Sequence, residues 1–160
     1  MRIPDLVIRP ATNADCNRVI DLVSGVLAEF QLPFDPACKD ADLTDIESSY
    51  ILAGGVFELI EDREGTLLGT YGLFPLPDNT CELRKMYFLP KIRGLGLGKR
   101  VLERAVDHAR GLGFKAIVLE TISVLRRAIY LYTRFGFVPT TIDHPNARVD
   151  QKYILELPIR

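Results

Sequence analysis

The residues best placed to do chemistry are concentrated in Arg93-Gly94-Leu95-Gly96-Leu97-Gly98-Lys99. Glycines let a backbone turn sharply and come close to a ligand. A strand pattern precedes this run and a helical pattern follows it. The run therefore opens a helix whose first N–H groups lack partners. A phosphate or pyrophosphate satisfies such donors and meets the favourable end of the helix dipole. Arg93, Lys99 and Arg100 add positive charge to the same place. The run is not a P-loop. Counted back from Gly98-Lys99, the first glycine position of G-x-x-x-x-G-K-[ST] is Arg93, and the hydroxyl position is Arg100. A small dinucleotide-binding domain is the rival. Glu120, 22 residues after Gly98, suits its ribose-binding acid, but G-x-G-x-G is not its G-x-G-x-x-G spacing.

The elements that must position this run follow from periodicity. Residues 6–9 read as a short strand closed by Pro10. Residues 15–30 read as a helix with Val19, Ile20, Leu22, Val23, Val26, Leu27 and Phe30 at helical spacing. Pro33 and Pro36 mark a loop over 31–40, and a short polar helix is expected near 42–50. Residues 56–60 and 67–74 form a hairpin around Glu61-Asp62-Arg63-Glu64-Gly65. A third strand spans 80–89. A helix over 96–110 carries Val101, Leu102, Ala105, Val106, Ala109 and Leu112 on one face. An apolar strand at 116–119, a helix over 124–135 and strands from 137 and over 153–157 complete the chain. The third strand is irregular. Cys81 and Leu83 are apolar in one phase, Met86 and Phe88 in the other. An extra residue at Arg84-Lys85 would restore the faces, which is what a β-bulge does.

Composition limits the function. The chain has 160 residues, one domain's worth, expected as a single domain over 1–160. It is 48% hydrophobic and 26% charged, which excludes a disordered chain. No apolar run reaches the roughly 20 residues of a membrane span, and no leader pattern is present, so no membrane partner is expected. Cys16, Cys38 and Cys81 are few and scattered, so neither a disulfide framework nor a metal site is expected. A reducing, cytoplasmic location is the resulting default. The net charge of −1 hides an asymmetry. Residues 1–80 carry 5 Lys/Arg and 14 Asp/Glu, whereas residues 81–160 carry 15 and 7. An anionic ligand on the second half and a cationic one on the first fit that division. Nucleic acid does not, because basic and aromatic residues are not interleaved.

These residues resemble the GNAT superfamily of acyl-CoA-dependent N-acetyltransferases. The family signature [QR]-x-x-G-x-[GA] reads here as Arg93-Gly94-Leu95-Gly96-Leu97-Gly98. Glu82 to Pro90 resembles the family's bulged fourth strand, and Leu131 to Phe137 its late LYxxxGF segment. The resemblance is strongest from 80 to 138. It implies a mixed, mostly antiparallel central sheet of six to seven strands flanked by helices, with a splayed strand. Arg93 to Lys99 would then wrap the pyrophosphate of acetyl-CoA, and Met86, Tyr87 and Phe88 would bind its pantetheine arm through the strand backbone. Ala128 falls in the matching helix, whereas Leu125 stands where the family usually has Asn. Tyr132 matches the position of a general acid and Glu82 that of a general base. The acceptor would be an amine of a small molecule or peptide. Many members pair through their late strands, which makes a homodimer an expected assembly.

The chemistry suits these types. An amine is mostly protonated at neutral pH, and a placed carboxylate can remove its proton for a gain of roughly 10²–10⁴-fold. A strand N–H can hold the oxyanion, and a phenol can protonate the departing thiolate. Plainer readings stand beside these. Tyr132 can simply pack in the core, and Glu82 can be an ordinary strand-end carboxylate. His108 reads as surface and His144 as a solvated loop residue. Asp40, Asp42, Asp45 and Glu47 either solubilise a short helix or attract a cation. A non-catalytic acyl-CoA-binding or sensing domain would need the glycines but neither Glu82 nor Tyr132.

Overall fold

The computed structural model describes residues 5–158. Seven strands form one sheet: β1 (Val7–Pro10), β2 (Val56–Glu61), β3 (Leu67–Leu76), β4 (Thr80–Phe88), β5 (Ala116–Thr121), β6 (Val138–Thr140) and β7 (Gln151–Glu156). Their order across the sheet is β1-β2-β3-β4-β5-β7-β6. Only β4 and β5 run parallel; every other neighbouring pair is antiparallel. Three helices cover the faces: α1 (Cys16–Glu29), α2 (Leu97–Gly111) and α3 (Arg126–Phe135). A mostly antiparallel sheet is not the doubly wound parallel sheet of a dinucleotide fold, so that alternative is set aside.

The two faces bury separate cores. On one, Val101, Leu102, Ala105 and Ala109 of α2 pack with Tyr71, Leu83, Ile117 and Leu119. On the other, Val19, Val23 and Leu27 of α1 pack with Leu43, Ile46, Tyr50, Phe57 and Leu59. Each fully buried aliphatic side chain is worth about 1.5–3 kcal/mol, so these stripes hold the helices in place. Leu112 departs from the expected face. It lies just past the end of α2 and is half exposed. Pro10 does not close its strand but ends inside it, opposite Glu58. Proline is tolerated there because β1 is an edge strand.

Residues 42–50 are not a polar surface helix. They form a 3-10 turn (Ala41–Thr44) and a π-helical turn (Glu47–Ile51) that bury Leu43, Ile46 and Tyr50. The acids around them do not merely meet water. Asp40 is fully buried, Asp42 accepts a hydrogen bond from the Tyr50 hydroxyl, and Asp45 and Glu47 cross to Asn13.

Two irregularities in the sheet's centre shape the rest. The register between β3 and β4 slips between Thr70↔Tyr87 and Gly72↔Arg84, so Lys85 and Met86 together oppose Tyr71. Lys85 takes φ 54°, a left-handed conformation uncommon outside glycine. This is the bulge expected from the phase switch at Arg84-Lys85. Next, β4 and β5 pair only from Thr80↔Ala116 to Glu82↔Val118. Past that point both strands continue, unpaired with one another.

Candidate active site

The divergence of β4 and β5 opens a cleft of about 690 Å³. The wall made by β4 contains Glu82, Met86, Tyr87 and Phe88. A second wall comes from the glycine segment: Arg93, Gly94, Gly96, Leu97, Gly98 and Lys99. Ala128 and Tyr132 of α3 line the third. Every expected site residue therefore meets in one place except Leu95, which is exposed and outside the lining.

The glycines act locally. Gly96 caps α2 with φ 79°, a left-handed turn, and the first helical residues Leu97, Gly98 and Lys99 line the cleft. Having no side chain, Gly96 cannot cap the first helical N–H groups itself, so they remain available to an anion. Gly98 serves packing. A Cβ there would come within 2.5 Å of Leu131 Cδ2, so its absence lets α2 and α3 approach. Arg93 has a structural task rather than a free charge. Its Nε donates to the Phe88 carbonyl at 2.9 Å, and its other nitrogens hold Glu29 at 2.8 and 3.0 Å. That ties the glycine run to the end of β4 and to α1. Lys99 is the freer cation, exposed and 4.0 Å from Glu103.

Tyr132 is buried, edge-on to Phe137 at 5.9 Å between ring centroids. Its hydroxyl makes no hydrogen bond among the described residues, and the residue stands on the cleft wall. Burial, followed by the neighbouring Tyr87, pushes its phenol above the usual value and keeps it protonated. The phenol therefore carries a proton at neutral pH, although the shift makes it a weaker donor than free tyrosine. Its ring packs as a core residue does, so this placement fits both the packing reading and the acid reading.

Glu82 is also buried, and it accepts a hydrogen bond from Arg84 Nε. The Arg84 guanidinium lies 3.8 Å from the Phe74 ring centroid, which fixes its position. Beside this pair lies Glu120, at the end of β5, which sequence reasoning weighed only as a ribose ligand. Glu120 is exposed at the open end of the strand; its partial loss of solvent first, then the charge of Glu82, raises its carboxyl above the ordinary value. A sequence signal existed: Glu120 stands directly after the apolar run of residues 116–119. What it lacked was the register that brings it to Glu82.

The mouth is braced by a buried charge cluster that sequence did not reveal. Lys85 Nζ sits 2.9 Å from Asp40 and 3.3 Å from Asp42, while Arg148 Nη1 donates to the other oxygen of Asp40. The bulge is thereby fastened to residues 35–42 and to the late loop. Two cations meet two carboxylates, so the cluster is balanced. His144 lies in the exposed part of that late loop, away from the cleft lining. Among the described residues no group of three potential ligands could hold a metal ion, and no helix is long and apolar enough to cross a membrane.

Comparison with known proteins agrees with this geometry. The family model described as acetyltransferase (GNAT) family matches residues 23–137. An uncharacterized N-acetyltransferase of Escherichia coli, YjgM, is 38% identical over 136 residues, covering 82% of this chain and 81% of that protein. A GNAT-family acetyltransferase structure from Staphylococcus aureus superposes with a TM-score of 0.88 at 24% identity, over 96% of this chain and 99% of that one. An acetyltransferase structure from Salmonella typhimurium with its cofactor acetyl-CoA gives a TM-score of 0.75 at 22% identity, over 98% and 96% of the two chains. The signature glycines, the bulged and splayed strand and the matched sequence model agree: this chain belongs to the GNAT family of acetyltransferases.

Proposed function

We propose that this chain, as one domain over residues 1–160, moves an acetyl group from acetyl-CoA to a primary amine of a small molecule or peptide by direct attack within a ternary complex. One observation carries the reading. The slot where β4 leaves β5 runs straight into the uncapped N-terminus of α2. A long ligand with a pyrophosphate at one end and a thioester at the other fits that combination.

The pyrophosphate takes the N–H groups of residues 94–99. The pantetheine arm lies along Met86 to Phe88 as an added strand. Little of the rate then needs special chemistry, because holding amine and thioester together supplies most of it. Tyr132 gives its proton to the thiolate as the C–S bond breaks. Glu82 belongs to the carboxyl site that receives the amine's proton. An acceptor enters past residues 38–39 and Arg148, which edge the same cleft.

Calorimetric titration with acetyl-CoA tests this reading, with NAD as a control. Saturable acetyl-CoA binding is expected, and Gly96→Trp should abolish it, since Trp at φ 79° is strained as well as obstructive. Binding of NAD in place of acetyl-CoA would overturn the assignment of the slot.

A further inference from the structure

Charges around the cleft can be matched one against another. Lys85 and Arg148 answer Asp40 and Asp42, and Arg93 answers Glu29. Glu82 and Glu120 are the carboxyls that line the cleft itself. Glu82 is answered by Arg84. Glu120 makes no ion pair among the described residues, and Lys39 and Lys152 act on it only from farther off. Of the two carboxyls that line the cleft, it is the one without an ion-pair partner, while Lys39, Arg126 and Arg127 line the same cleft as cations.

The sheet explains how the two carboxyls meet. Glu82↔Val118 is the last pair before β4 and β5 part, and Glu120 lies two residues beyond Val118. Residues two apart in a strand share a face, so Glu82 and Glu120 look into the same opening. Across the sheet Glu120 is paired with Lys152 of β7. Lys39, on the loop that edges the cleft, and Lys152 both ease the ionisation of Glu120, while partial loss of solvent and Glu82 oppose it more strongly.

We propose that Glu120 is a further catalytic residue: it stands beside Glu82 in the cleft, both carboxyls resting ionised, and Glu120 is the member that takes the proton from the acceptor's ammonium group. This deepens the acetyl-transfer reading and rests on it. Glu82, held by Arg84, is then a positioning residue that sets the proton affinity of Glu120. The sequence balances as follows. The ionised Glu120 pairs with R–NH3⁺ and accepts one proton. The free amine attacks the thioester carbon, forming the C–N bond and an oxyanion. The C–S bond breaks as the thiolate takes the Tyr132 proton. The nitrogen's second proton leaves through solvent and restores the phenol, and Glu120 releases the first proton to solvent. The acceptor is accordingly an amine that arrives as a cation.

Two measurements test the pair. In the intact protein, ¹³C NMR of glutamate carboxyls should show one group, absent from Glu120→Gln, titrating above the ordinary glutamate range. Glu82→Gln should bring that group back down. An ordinary titration of Glu120, or one indifferent to Glu82→Gln, overturns the pair. The second measurement is thiol release from acetyl-CoA with n-butylamine as a minimal amine. Glu120→Gln should lower kcat/KM by about 10²-fold or more with acetyl-CoA affinity unchanged. Glu82→Gln should move the acidic limb of the pH profile to lower pH. Retained turnover in Glu120→Gln overturns the catalytic role. Failure of the wild type to bind acetyl-CoA would instead strike the parent reading, and the NMR titration would still decide the pair.

Discussion

Glu58 of β2 and Glu120 of β5 are carboxyls on one sheet, and their surroundings drive them in opposite directions. Loss of solvent would raise both, fully at the buried Glu58 and only in part at the exposed Glu120. At Glu58 the donors outweigh it: Arg104 binds both oxygens, the Tyr71 hydroxyl donates to it, and His108 Nε2 lies at 3.3 Å. Glu58 therefore sits below its ordinary value, with burial opposed chiefly by Arg104 and Tyr71. His108, read from sequence as surface, is part of this clamp between α2 and the sheet. At Glu120 no donor of that kind arrives, and a second carboxyl does. The lesson is that a structural carboxylate is surrounded with donors, whereas one meant to accept a proton is left wanting it.

Substitutions can break or sharpen this contrast. The largest effect is expected on the acid side of the reaction. Tyr132→Phe should cut turnover by about 10²–10⁴-fold while calorimetry shows unchanged acetyl-CoA binding. Unimpaired turnover would make Tyr132 a packing residue only. Next comes the clamp. Arg104→Leu leaves Glu58 buried without its main partner; because Arg104 is partly exposed and Tyr71 still donates, the loss should be about 1–3 kcal/mol in urea unfolding. Its pH dependence carries a sign. A depressed carboxylate stabilises the fold above its unfolded value of 4.5, and that contribution is lost as pH falls through the lower folded value. Wild-type stability should thus decline in acid below about pH 4.5, and the Arg104→Leu protein should show a shallower decline.

Glu120 has the reverse linkage. Its raised carboxyl favours the folded state only while protonated, so its contribution fades as pH rises through the folded value. At neutral pH, Glu120→Gln should unfold at a slightly higher temperature than wild type even as turnover falls. A lower melting temperature would mean that Glu120 is structural, like Glu58. The smallest effect is expected at Tyr130, two residues from Tyr132 and 65% exposed. Tyr130→Ala should change stability by no more than about 0.5 kcal/mol and leave kcat untouched.

Much of this site was legible in the sequence because its signals are local. Glycines between a strand and a helix, and a phase switch within a dozen residues, report backbone geometry directly. The bulge at Lys85 and the turn at Gly96 both stand where those signals place them. What sequence concealed depends on distant partners. Asp40 looks like one more acid in an acidic half until Arg148, 108 positions away, reaches it. The polar look of residues 42–50 misleads for the same reason, since Asp42 is buried only because Lys85 and Tyr50 meet it there. Glu120 needed the register of β4 against β5 before its neighbour was known.

The parting of β4 from β5 has a consequence for solubility. From Met86 to Phe88 the sheet contains an edge in its own middle, with backbone groups that no neighbouring strand of β5 takes up. Sheet edges invite other strands, and proteins normally cover or distort them. Here the bulge distorts the edge, and the bound cofactor would cover it. At a cofactor concentration 100 times Kd, binding adds about 2.7 kcal/mol to the folded state. The co-substrate would thus also guard the sheet against pairing with another copy, and the protein emptied of it would be the form most prone to aggregate.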